Sequence, residues 1–218
     1  MANRECLLLL SGGRDSTVSS NYIAEQYDHL TLITVQADYL TKIEDVYLRL
    51  EELKLKPALK NKCTWKLYKK IEDIQESTTC LSCHAYYIAL AQNIAMSNNI
   101  QDIALGYSGY QNHWEEQSEY AKISLKKYFK EIGLNLLLPV EHIIEKDDIL
   151  KELKKCKCCE DSKEQKCTRI AKRDANYRHL TGTELNKAVD SWIPEIRRLS
   201  KILKEKNYES TCIDTVIF

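Results

Sequence analysis

Two glycines framed by hydroxyl side chains, Ser11-Gly12-Gly13-Arg14-Asp15-Ser16, directly follow the apolar run Cys6-Leu7-Leu8-Leu9-Leu10. The glycines let the backbone turn tightly and approach a ligand with no side chain in the way. Ser11, Ser16 and Thr17 add hydroxyl donors, and the first N–H groups of a following helix would point at an anion, so the stretch suits a phosphate. Asp15 would position a metal ion or the loop itself. Arg14 is either a phosphate contact or a solvated charge on an exposed turn. The pattern is neither G-x-x-x-x-G-K-[ST] nor G-x-G-x-x-G, so two common phosphate loops are excluded.

Two further groups of residues could do chemistry. Cys80-Leu81-Ser82-Cys83 precedes an alanine-rich helical stretch. Its spacing suits a metal, a disulfide-exchanging pair or a catalytic thiol with a partner, and equally two thiols packed under a sheet. A helix amino terminus there would lower a thiol pKa and raise its nucleophilicity. Cys156, Cys158, Cys159 and Cys167 crowd into a lysine-rich segment with almost no apolar side chains. Four thiolates suit tetrahedral zinc, and such a segment would take its order from the metal; a three-cysteine site completed by His179 or Cys212 is the variant, a solvated hairpin of reduced thiols the alternative. Lys146 could reach a phosphate, though it sits among surface charges, and His113 and Trp114 could stack on a base or pack in a core.

The elements that must position these residues read as alternating strands and helices. Strands are predicted at residues 5–10, Leu30–Val35, Cys63–Tyr68, Asp102–Tyr107 and Leu134–Val140, and helices at Thr17–Gln26, Glu44–Leu55, His84–Met96 and Glu141–Leu153. Beyond residue 153 two helical stretches follow, roughly Cys167–His179 and Glu184–Lys206, and Cys212–Phe218 is an edge strand or a docked extension. The reading is an α/β fold, an open parallel sheet with helices on both faces, spanning residues 1–153 and carrying a cysteine cluster and helical appendage at 154–218. In such sheets ligands bind at the carboxyl ends of the strands, where the first loop lies and where Gln36–Tyr39 could border an adenosine. Asp38 within it could equally be a cap or turn residue.

The S-G-G-x-D-S stretch resembles the signature loop of the PP-loop ATP pyrophosphatases, which cleave ATP between the α and β phosphates to adenylate a substrate oxygen. That resemblance implies the adenine nucleotide alpha hydrolase-like fold, with ATP and Mg²⁺ held by Ser11, Gly12, Gly13, Arg14, Asp15, Ser16, Thr17 and Gly106. Gly106-Tyr107-Ser108-Gly109-Tyr110-Gln111, followed by a helix, a strand ending in Pro139 and a K-x-x-I helix at Lys146–Ile149, is similar to the 7-cyano-7-deazaguanine synthases of queuosine biosynthesis. With Zn²⁺ on the four later cysteines, that branch implies a ligase turning a carboxylate on a deazapurine-like substrate into an amide and then a nitrile. The stretch Thr79–Ala89 with Ile103–Tyr107 is similar instead to the tRNA thiolases of the same superfamily, which implies that Cys80 or Cys83 attacks or carries sulfur. A nucleotide-binding module without catalysis is the third expectation.

The chain of 218 residues carries 32 basic and 32 acidic residues, so no global charge draws it to nucleic acid or membrane. Leu7–Leu10 is too short for a signal peptide, no stretch approaches a membrane span, and the nine cysteines suit a reducing cytoplasm. A small-molecule substrate or a tRNA is the expected partner, and a homodimer is compatible with the sequence.

Overall fold

The computed structural model describes residues 4–71, 80–171 and 179–218. Its element order is β1 (Glu5–Leu9), α1 (Arg14–Ala24), β2 (His29–Gln36), β3 (Leu40–Thr41), α2 (Ile43–Lys54), β4 (Cys63–Lys69), α3 (Cys80–Ser97), β5 (Asp102–Ala104), α4 (Glu119–Glu131), β6 (Asn135–Leu137), α5 (Lys146–Lys155), β7 (Lys166–Cys167), α6 (Thr168–Ala171), α7 (Gly182–Glu205) and β8 (Cys212–Ile217).

Six strands form one sheet in the order β6-β5-β1-β2-β4-β8. The five from β6 to β4 are parallel, and β8 closes the edge antiparallel to β4. A strand buried on both faces needs apolar side chains at successive positions. Cys6, Leu7 and Leu8 meet that need, each being fully buried. Leu7 joins Ile33 and Val35 in a core covered by α3, α4 and α7, whereas Cys6 and Leu8 join Leu30, Leu32 and Trp65 in a second core covered by α1, α2 and α5. At roughly 1.5–3 kcal/mol for each large apolar side chain removed from water, these two layers hold the sheet.

The sequence finds this architecture but misplaces some boundaries. The expected helix from Glu141 begins only at Lys146, because residues 141–145 turn after Pro139. The expected helix at Cys167–His179 is helical over Thr168–Ala171, and residues 172–178 lie outside the described residues. The segment Cys212–Phe218 is the edge strand. Among the described residues no helix is long and apolar enough to cross a membrane.

The sheet reverses its order around β1, with β2 on one side and β5 on the other. A crevice opens there at the strand carboxyl ends, where an open α/β sheet takes its ligand.

Candidate active site

The β1–α1 loop forms the floor of that crevice. Gly12 turns with φ +81°, a left-handed conformation that suits glycine, and Gly13 is the N-cap of α1 without any side-chain cap. A cavity of about 670 Å³ stands above it, and Ser11, Gly13, Arg14, Asp15 and Ser16 line its floor. The hydroxyls of Ser11 and Ser16 lie 3.1 Å apart, and the Gly13 N–H donates to Ser11 Oγ at 3.1 Å. Thr17 departs from expectation, being fully buried with its hydroxyl donating to Gly13 O at 2.6 Å. It braces the first turn of α1 and does not face the cavity.

The loop after β5 is tied to this floor through Asp15. Tyr110 Oη donates to both Asp15 carboxylate oxygens at 3.0 and 2.9 Å, and Gln111 Nε2 donates at 3.1 Å. Gln117 continues the chain, donating to Gln111 and accepting from the Ser108 N–H. Burial pushes Asp15 up to about 6 despite the Tyr110 hydrogen bond. Gly106 also lines the cavity, and its lack of a side chain has a packing cause. A Cβ there would lie 2.7 Å from the Ser16 backbone nitrogen and 2.8 Å from its Cα.

Cys80 and Cys83 lie at the start of α3 as described and face the same cavity, where Cys167 joins them from β7. Burial pushes the Cys80 thiol up to about 12, with Glu116, Cys83 and Cys167 adding to the shift. Burial thus acts against the lowering that a helix terminus would give that thiol. Tyr39 Oη lies 3.3 Å from Cys83 Sγ, and the Arg169 guanidinium stacks 3.7 Å over the Tyr39 ring.

The expected grouping of Cys156, Cys158, Cys159 and Cys167 is also corrected. Among the described residues no group of three or more His, Cys, Asp or Glu side chains is placed to hold a metal ion. Cys156 and Cys158 pack against the α1–α2–α5 core, while Cys167 pairs with Leu40 across the short β3–β7 ladder and faces the crevice. Cationic side chains hold the carbonyls of this segment. Arg49, fully buried, donates to Cys159 O at 3.1 Å and Asp161 O at 2.7 Å, and its Nε reaches Gly12 O at 3.4 Å. Lys56 Nζ donates to Lys157 O and Arg14 Nε to Glu160 O, each at 2.7 Å. His179 does not complete a thiol site either; it lies 3.6 Å from Glu115 and edge-on to Trp114 at 4.8 Å. Cys212 sits on the edge strand β8, its thiol donating to Asp214 O.

Of the remaining candidates, Trp114 and Tyr39 line the cavity. Lys146 is exposed outside it, and Asp38 is exposed with Lys69 at 3.8 Å. Sequence reasoning missed Glu116, which is only 4 % exposed, lines the cavity and lies 3.8 Å from His84 Nε2. Burial pushes it up to about 7, and its Oε2 is buried without a hydrogen-bond partner. The adjacent acids of Trp114-Glu115-Glu116 were the available signal.

No family model matches the chain, and no curated protein matches it in sequence. Solved structures do. The chain is similar to a 4-thiouridine synthetase in complex with RNA and bound ATP, with a TM-score of 0.61 and 14% identity over 99% of this chain and 55% of that one. It is similar to the U34-tRNA thiolase NcsA from Methanococcus maripaludis with its [4Fe-4S] cluster, with a TM-score of 0.52 and 16% identity over 95% of this chain and 71% of that one. An NMN synthetase from Francisella tularensis aligns with a TM-score of 0.49 and 12% identity over 94% of this chain and 87% of that one. The chain thus spans about half the length of the 4-thiouridine synthetase. Likeness at this identity is likeness of fold, and the fold is the adenine nucleotide alpha hydrolase-like one, a mostly parallel six-stranded sheet with helices.

Proposed function

We propose that this protein uses ATP to activate a carbonyl oxygen of a tRNA base and replaces that oxygen with sulfur, with a [4Fe-4S] cluster held by Cys80, Cys83 and Cys167. One observation supports the reading: cysteines from two distant parts of the chain, Cys80 and Cys83 on α3 and Cys167 on β7, line the cavity floored by the S-G-G-R-D-S loop, although among the described residues they are not grouped to hold a single metal ion. In a cubane cluster each cysteine ligates a different iron, so its thiols need not converge on one point as the ligands of a single ion must. Bound iron would also supply the positive charge that the buried Cys80 thiol lacks. With three protein ligands for four irons, such a cluster keeps one iron open to a sulfur donor.

The loop around Ser11, Gly13 and Ser16 would hold the ATP phosphates, with Mg²⁺ neutralising charge as the base oxygen attacks the α-phosphorus and pyrophosphate leaves. Asp15, fixed by Tyr110 and Gln111, would position the metal. Hydrosulfide would then add at the activated carbon, and AMP would depart with the oxygen. Glu116, divided between acid and carboxylate near neutral pH, can take the proton released at its unpartnered Oε2. Trp114 offers a face for the target base. The nitrile-forming ligase reading drew on the Gly106–Gln111 stretch and the Lys146–Ile149 helix as well as on a four-thiol zinc site, and that site is not assembled among the described residues.

The test uses the anaerobically prepared full chain with ATP, Mg²⁺, a sulfide source and total tRNA. AMP and pyrophosphate in equal amounts, with a thionucleoside in the digested RNA, are the expected products. ADP in place of AMP would reject attack at the α-phosphorus, and amidation of a free carboxylated deazapurine would restore the ligase reading.

A further inference from the structure

The loop that reads as the phosphate site is already covered by the protein's own chain. Residues 160–167 run from the end of the cysteine-rich segment to β7 and cross the β1–α1 loop from above. The Lys163 N–H donates to Gly12 O at 3.1 Å, and a Cβ on Gly12 would meet Lys163 O at 2.3 Å, so the two backbones touch where only a glycine fits. The Glu164 carboxylate rests on the loop itself, its Oε2 being 3.0 Å from the place of a Cβ on Gly13, while Lys166 Nζ lies 3.7 Å from its other oxygen. Glu164 also adds to the upward shift of Asp15. The Glu164 carboxylate therefore lies against the N-cap residue of a helix that has no side-chain cap.

The next residue makes a second contact of the same kind. Gln165 Nε2 donates to the Val35 carbonyl at the end of β2 at 2.8 Å, and its Oε1 is buried without a partner. A carboxamide presents a donor beside an acceptor, as does the amino-bearing edge of adenine. Both side chains line the cavity.

We propose that residues 163–165 are a self-docked plug, in which the Glu164 carboxylate stands in for a phosphate and the Gln165 carboxamide for the base edge, and that ATP binding lifts them off the β1–α1 loop. The inference rests on the reading that this loop binds ATP. Release is local, because Cys167 remains paired with Leu40 and the carbonyls of residues 159–161 remain held by Arg49 and Arg14. The plug lowers apparent ATP affinity by the fraction of molecules in which it is open.

Calorimetric titration of Mg-ATP into the wild-type chain, Glu164→Ala and Gln165→Ala tests this, with amide exchange followed over residues 160–166. Each variant is expected to bind ATP tighter by roughly three- to tenfold, as the competent fraction rises toward one. In the wild type, the Lys163 amide is expected to be protected without nucleotide and to lose protection with it. Unchanged or weaker binding in both variants, or protection that grows with ATP, would overturn the plug while leaving the ATP reading intact. Absence of ATP binding in all three proteins would remove the ATP reading and the plug together.

Discussion

Asp15 and Gly106 link the two loops of the crevice by different means, and each gives a testable consequence. Burial raises Asp15 from 3.8 to about 6, so the folded chain holds that proton more tightly than the unfolded one. Its contribution to stability is therefore fullest below the unfolded pKa and is lost as pH rises through the folded one. Asp15→Asn carries no such charge. It is expected to flatten the stability profile between about pH 4 and 6 and to raise the unfolding midpoint at pH 7 while lowering ATP turnover, as charged site residues tend to trade stability for activity. Denaturant titrations across that range check the sign, and an unchanged slope would place the cost elsewhere. Gly106→Ala puts a methyl group 2.7 Å from a backbone nitrogen that cannot swing aside. A loss of about 1–3 kcal/mol is expected, together with weaker ATP binding, measured on the same protein by thermal and nucleotide titration. The glycine at 106 was visible in the sequence, but its reason was not, since the clash is with a residue ninety positions earlier in the chain.

Elements differ in how far local pattern determined them. The strands β1 and β2 were legible because apolar and β-branched runs buried on both faces leave an unbroken hydrophobic signature, and β4 because its side chains alternate. The two-residue strands β3 and β7 have no such signature and exist only as a pair. In the cysteine-rich segment the close spacing of thiols suggested a metal, while the carbonyl contacts of Arg14, Arg49 and Lys56, distant in the chain, left no local signal. Arg49→Met removes donors to three backbone carbonyls and leaves Glu52 with only the Cys159 N–H as a partner. It is expected to cost on the order of 3 kcal/mol and to speed amide exchange across residues 158–165. At the end of α5, Lys157 adopts φ +54° while the N–H groups of Lys157 and Cys158 donate to Lys154 O and Leu153 O. That is a Schellman ending with lysine in the place glycine prefers. Lys157→Gly is expected to stabilise the protein by about 1 kcal/mol in thermal unfolding, and a loss would show that the lysine side chain contributes more than its backbone costs.

At the scale of the whole molecule the sheet brings its functional residues together from three separated stretches: the β1–α1 loop, the α3 start and the β7 strap. All three line one cavity, and Cys167 lies more than eighty residues from Cys80 and Cys83 in the chain, a proximity that local spacing could not reveal. Balanced overall charge leaves any RNA contact to a local surface. The grouping of Cys167 with Cys80 and Cys83 is the centre of the account. Iron and acid-labile sulfide content of the anaerobically purified full chain tests it most directly, with single serine variants at Cys80, Cys83 and Cys167 and a triple variant at Cys156, Cys158 and Cys159. The account predicts about four irons per chain in the wild type and the triple variant and their loss in each single variant. Zinc in place of iron, lost in the triple variant and kept in the single ones, would contradict it.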